Sequence, residues 1–86
     1  MKDHYAMRGD ELKELLVRKP FVPLRLHMTD GTTFDIRHPD NLIVLKSRVD
    51  IGVGVDARGV VDRVEYCSLL HVVRVEELQS ASAELN

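Results

Sequence analysis

The residues of this chain able to move protons, attack a substrate or hold a metal are four histidines (His4, His27, His38 and His71), one cysteine (Cys67) and aspartates at 35, 40, 50, 56 and 62. Neutral imidazole is a common metal ligand. No two histidines stand at a ligand-pair spacing, however, and Cys67 has no Cys-x-x-Cys partner, so neither a metal nor another cofactor is expected. Cys67 lies four residues before His71, which raises a nucleophile–base reading. No third member or oxyanion hole accompanies the pair, and an unpaired cysteine at a strand end is more often a small buried hydrophobe. The aspartates fall in turns or on outward strand positions, where a solvated carboxylate is ordinary. Gly52-Val-Gly54 lacks the Lys-Ser/Thr and the following helix of a phosphate loop. The chain is therefore read as a protein without a catalytic site.

Arg25, Arg37, Arg63 and Arg74 all fall on outward strand faces, where two or more of them would form an anion-binding stripe. Asp35, Glu65 and Glu76 stand near them on the same faces. A network of surface ion pairs, each worth roughly 0–1 kcal/mol, is the favoured reading.

The elements that must position these groups begin with a short amphipathic helix over 10–19. Asp10 caps it, Leu12, Leu15 and Leu16 share one face, and Pro20 stops it. A helix this short is marginal alone, so its leucine stripe must dock on a sheet. The strands follow. In Leu24-Arg-Leu-His-Met-Thr-Asp-Gly-Thr-Thr-Phe-Asp-Ile-Arg37 an Asp-Gly dipeptide separates two alternating runs, the signature of a hairpin closed by a tight type I′ turn at Asp30-Gly31. His38-Pro-Asp-Asn41 breaks pairing. Leu42–Lys46 is almost wholly apolar and reads as a strand buried on both faces. In Val49–Val55 the odd positions are apolar, while Gly52 and Gly54 mark a bend or a close approach of backbones. Asp56-Ala-Arg-Gly59 is a turn. Val60–Cys67 reads as a strand with Val64 and Tyr66 inward, Ser68-Leu69-Leu70 as a one-turn connector, and His71–Glu76 as the last strand. The expected core is Leu12, Leu15, Leu16, Leu24, Leu26, Met28, Phe34, Ile36, Ile43, Leu45, Ile51, Val53, Val64, Tyr66, Val73 and Val75.

A chain of 86 residues is one domain with a modest core. The expectation is a single domain over 1–78 and a flexible small-residue tail at 79–86. The fold class is mainly β: an N-terminal helix followed by a strongly bent, five- to six-stranded antiparallel barrel. With a net charge of −2 and no run of either sign, the chain lacks the basic bias usual in nucleic-acid binders. One cysteine permits no internal disulfide. No stretch has the length and hydropathy of a secretion signal or membrane span, so a cytoplasmic location without a membrane partner is expected.

The short helix, Val22-Pro-Leu-Arg-Leu-His-Met-Thr-Asp-Gly31, the apolar Leu42–Leu45 strand and the ending Val64-Glu-Tyr-Cys-Ser-Leu-Leu-His-Val-Val-Arg-Val75 together resemble the Sm-like fold over residues 10–76. The order of parts also suits the broader SH3-like barrels. The Sm-like group includes a bacterial RNA chaperone, and many members form rings by joining edge strands. The resemblance therefore implies a homo-oligomer and an RNA-binding site, carried here by Arg25, His27, Asn41 and Arg63. Asp40 and Asn41 are the nearest match to the family's nucleotide-contacting loop, although Pro39 precedes them, the family's aromatic residue is missing there, and the strand before them is shorter than the family pattern. The chain is also similar to a group of short bacterial proteins without assigned activity, through Lys19-Pro-Phe-Val-Pro-Leu24, Asp30-Gly31 and His38-Pro-Asp40. Two functions are carried forward. The first is a non-catalytic interaction or assembly module that pairs its edge strands with a copy of itself or with a protein partner. The alternative is an Sm-like RNA binder, which the net charge does not favour.

Overall fold

In the computed structural model, which describes residues 3–5 and 9–78, one helix and seven short strands succeed one another among the described residues. These are β1 (Asp3–Tyr5), α1 (Gly9–Val17), β2 (Leu24–Met28), β3 (Thr33–Ile36), β4 (Leu42–Val44), β5 (Arg48–Val53), β6 (Arg63–Ser68) and β7 (Val72–Glu77). The strands pair antiparallel in two sheets, ordered β1-β7-β2-β3 and β4-β5-β6. The mainly β expectation holds. The tail expected at 79–86 and the side chain of His4 lie outside the described residues. No helix among the described residues is long and apolar enough to cross a membrane.

The leucine stripe does what its spacing requires. Leu12, Leu15 and Leu16 are buried and join one cluster with Leu24, Leu26, Ile36, Leu42, Val49, Ile51, Val72 and Val75. The helix begins one residue earlier than expected, so Asp10 lies inside its first turn, where Oδ1 accepts the Glu11 N–H at 2.9 Å. It ends at Val17, short of Pro20, because the residue before a proline is held out of the helical region. A salt bridge of 2.9 Å from Arg18 to Glu77 ties the end of the helix to β7.

The hairpin forms, with Leu24 opposite Ile36 and Leu26 opposite Phe34, so the apolar alternates of both strands share a face as expected. Its turn differs from the expected one. The Gly31 N–H donates to Met28 O at 3.0 Å, and the Met28 N–H to Thr32 O at 2.9 Å, so Thr29 and Asp30 form the centre of the turn. Gly31 follows at φ +89°. This is the three-residue loop with a glycine bulge, in which only one position needs a positive φ. Asp30 Oδ1 stays free to accept the Thr32 N–H at 2.9 Å.

Three assignments of faces are overturned. The strand expected at Leu42–Lys46 is shorter and one-sided: Leu42 is buried, but Ile43 is 56% and Leu45 40% exposed. Its register with β5 places Ile43 opposite Asp50, on the face away from the core. In β6 the parity is reversed, and Val64 and Tyr66 point outward at 44% and 67% exposure. Val49 and Ile51 of β5 face the core, and directly opposed residues share a face, so their partners Cys67 and Glu65 take the inner side of β6. In β7 the buried residues are Val72 and Val75, and Val73 is 38% exposed. The pairing runs Leu26 with Val75, His27 with Arg74, then Met28 with Val72. Val73 is the extra residue of a β-bulge, which keeps two inward valines three positions apart.

Gly52 explains how the loop before β6 folds back. A Cβ built there would lie 2.7 Å from Cγ1 of Val61, so only a bare backbone admits that side chain. The close approach at Gly52 is that of a side chain, Val61, rather than of the second backbone expected.

Candidate interaction surface

The two sheets present opposite kinds of outer face. On the first, the register sets Glu76, Arg25 and Asp35 in one row across β7, β2 and β3, and Arg74, His27 and Thr33 in the next. Arg25 grips Asp35 with two bonds, Nε to Oδ1 at 2.7 Å and Nη2 to Oδ2 at 3.0 Å. Arg37 adds a weaker contact to the same carboxylate at 3.4 Å. The hydrogen bond from Arg25 and its charge hold the Asp35 carboxyl below the usual carboxylate range, and the same pairing raises the Arg25 guanidinium. His27 sits between two groups. Arg74 Nη1 lies 2.7 Å from Nε2 and Glu76 Oε1 lies 3.0 Å from it. That nitrogen accepts from the guanidinium when bare and donates to the carboxylate when protonated. The result is a belt of matched charges. Arg63, expected on an outward face, instead shares the inner side of β6 in the other sheet with Glu65, which it meets at 3.1 Å.

The outer face of β4-β5-β6 is apolar at its flanks. Ile43, Asp50 and Tyr66 stand in one row, with Val64 beside Gly52 in the next. Between the flanks Arg48 Nε donates to Asp50 Oδ1 at 2.9 Å, and its guanidinium carbon lies 4.9 Å from the centre of the Tyr66 ring. One cation thus answers a carboxylate and a π face at once. The Asp50 side chain is largely covered, flanked by Ile43 and Tyr66 and bonded to Arg48.

Between the hairpin loop and the inner side of β6 lies an open cleft of about 560 Å³, reached by Thr29, Phe34, Glu65, Tyr66, Cys67 and His71 among others. It holds both members of the nucleophile–base pair weighed above. His71 Nδ1 is turned to Thr29 Oγ1, 3.2 Å away. Burial pushes the Cys67 thiol up, and the nearby charges of Glu65 and Asp30 push it further. An activated cysteine needs the opposite environment, with a cation or helix N-terminus beside it. Asp30 itself is held below the usual range, chiefly by its bond from the Thr32 N–H. Cys67 packs against the core cluster. Among the described residues no group of three or more His, Cys, Asp or Glu is placed to hold a metal ion.

The four residues of the RNA reading do not share one neighbourhood. Arg25 and His27 are alternate residues of β2 on the charged outer face. Asn41 ends the short 3₁₀ turn Pro39–Asn41 before β4, and Arg63 opens β6 in the other sheet. A carboxylate already lies against each of three of them, Asp35 against Arg25, Glu76 against His27 and Glu65 against Arg63. Sequence reasoning missed Ile43, Val64 and Tyr66 as surface residues, because their apolar character marks a core face wherever alternation alone is read. The signal that finds them is longer in range: Val49 and Ile51 fix the inner parity of β5, and the register carries that parity to both neighbours. Comparison of the chain with protein-family models, with curated proteins and with solved structures yields no match.

Proposed function

We propose that this chain is a non-catalytic interaction module, a small Sm-like or SH3-like barrel that associates with itself. The observation that carries the reading is the outward placement of Val64 and Tyr66, with Ile43 in the same face, on a sheet whose last strand has, among the described residues, one neighbour. A one-sided antiparallel sheet normally turns its apolar alternates to the core. Here β6 turns them to solvent and places Arg63 and Glu65 at the cleft. Apolar surface rimmed by charged residues is the usual mark of an interaction site. The unpaired edge beside it offers backbone donors and acceptors that another strand satisfies. The barrel assignment is supported by the order of parts, a short helix packed on bent antiparallel sheets and a 3₁₀ turn before the last strand. Phosphate binding has less support, since an RNA backbone must displace a carboxylate at Arg25 and at Arg63.

The test is light scattering on a size-exclusion column, with the ratio of 260 to 280 nm absorbance read across the peak. The expected result is a discrete oligomer free of nucleic acid, converted to smaller species by Tyr66→Ser with its far-UV circular dichroism unchanged. A monomer at every concentration overturns self-association. A raised absorbance ratio that falls in high salt moves RNA to the front.

A further inference from the structure

The structure carries one inference about how such an association is built. Four strands end the two sheets: β1 and β3 in one, β4 and β6 in the other. Three of these edges are shorter than that of β6. β1 and β4 have three residues each, and β3 has four, with its Asp35 held in the bonds to Arg25. The edge of β7, the last strand, is already taken by β1. β6 has six residues and, among the described residues, pairs only with β5.

The direction of its backbone groups follows from two bonds. The Leu69 N–H donates to Ser47 O at 2.9 Å, and residues 69 and 47 continue the register in which Ser68 opposes Arg48. Because polar backbone groups alternate along an antiparallel strand, Cys67, Glu65 and Arg63 turn theirs toward β5, while Val64 and Tyr66 turn theirs out. The Asp62 N–H also donates to Val53 O, at 2.9 Å, the residue opposite Arg63. That bond lies just before β6, where the regular ladder begins.

We propose that the free edge of β6 pairs antiparallel with β6 of a second copy, about a two-fold axis through Val64. The proposal rests on the self-association reading and names its interface. Charge selects the register. Centring the pair on Glu65 sets like charges directly opposite, and centring it on Tyr66 leaves Arg63 and Glu65 facing Leu69 and Cys67. Centring it on Val64 pairs residues 63–65 of the two strands and places Arg63 opposite Glu65 of the partner subunit, and the two-fold repeats that contact. The outward N–H and C=O of Val64 then bond their own symmetry mates. Tyr66 falls diagonal to Val64 of the partner subunit, within reach of an aromatic side chain. The two apolar outer faces become one surface. A closed two-fold contact of this kind uses the same patch on both subunits.

The experiment is an exchange of charges, read by sedimentation velocity with circular dichroism as the check on folding. The wild-type chain is expected to dimerise, and Arg63→Glu or Glu65→Arg alone to weaken the dimer roughly tenfold or more, since two favourable pairs become two repulsive ones. An equimolar mixture of these two variants restores association as a 1:1 heterodimer, and the double variant R63E/E65R dimerises like wild type. Those last two results also guard against a single variant that misfolds, because misfolded chains do not rescue one another. A wild-type dimer that both single variants leave intact overturns the β6 interface and spares self-association. A wild-type monomer overturns both, and assigns the edge to a different protein chain.

Discussion

Val72 and Val73 are adjacent, identical and both on β7, yet the bulge gives them opposite fates. Val72 is sealed in the core and Val73 is partly exposed. Truncating either to alanine costs the same intrinsic strand preference, within a scale that spans about 1 kcal/mol. The difference between the two variants therefore isolates burial. Val72→Ala removes two buried methyl(ene) equivalents, about 1.6 kcal/mol at roughly 0.8 each. The cavity left beside Leu26 and Met28 raises that to about 2–3 kcal/mol, whereas Val73→Ala stays near 0.5 kcal/mol. For a domain of this size the gap corresponds to a melting temperature lower by about 6–15 °C in Val72→Ala than in Val73→Ala. Urea unfolding followed by circular dichroism measures both variants at unchanged slope. A larger loss at Val73 would put it inward with Val75 on a regular alternation and refute the bulge at His27/Met28, and equal losses would refute the difference in burial.

The other expectations concern separate parts of the molecule. Gly52→Ala should cost about 1–3 kcal/mol by driving a methyl into Val61, and adding Val61→Ala should recover most of it; additive losses in that double-mutant cycle would mean the two do not touch. Leu26→Asp, a charge forced into the centre of the buried cluster, should abolish cooperative unfolding, and a normal melt would mean that the strand register is wrong. Asp35 has a folded-state pKa below its unfolded one, so its contribution to stability is present above about pH 4 and is lost as pH falls through the lowered value. Asp35→Asn should accordingly be less stable than wild type at neutral pH, with the gap closing in acid; a gap constant with pH would show that the carboxylate charge is not what matters. The Cys67 thiol, raised by burial, should react with a disulfide reagent at pH 8 more slowly than the same thiol in urea, the ratio narrowing as pH rises. Faster reaction in the folded chain would reinstate an activated cysteine.

What the sequence made legible was local. The leucines of α1 share a face because three and four residues make one helical turn, and nothing outside the helix is needed to see it. The hairpin is legible for the same reason as far as its faces go, but its turn slid by one residue and the cross-strand register moved with it. The inner and outer sides of β6 and β7 were not legible, because each depends on a neighbour. A bulge is invisible to alternation, so Val73 took the place of Val72. The parity of β6 is inherited from β5 through pairing, so Val64 and Tyr66 seemed core on their own strand and are surface in the sheet. The ion pairs were the legible part of the surface. Arg37 with Asp35, Arg63 with Glu65 and Arg74 with Glu76 all meet as their spacing suggested, while the closer bond of Asp35 to Arg25 comes from cross-strand pairing.

The charges on β6 bear on more than affinity. An exposed edge strand with apolar residues on its outer face is a hazard, since any extended chain can add to it and the new edge can add again. Charged residues usually blunt such an edge by repulsion. Arg63 and Glu65, two residues apart and opposite in sign, do this selectively. Copies stacked parallel and in register would set Arg63 on Arg63 and Glu65 on Glu65 in every layer, about 4.8 Å apart, so growth by stacking is opposed at each step. An antiparallel pair about Val64 meets the reverse condition, with each cation against an anion. That pair joins residues 63–65 of the two strands about a single two-fold axis, so the contact closes on itself. The same two side chains thus oppose the open-ended assembly and favour the closed one, which a pair of like charges at these positions would not do.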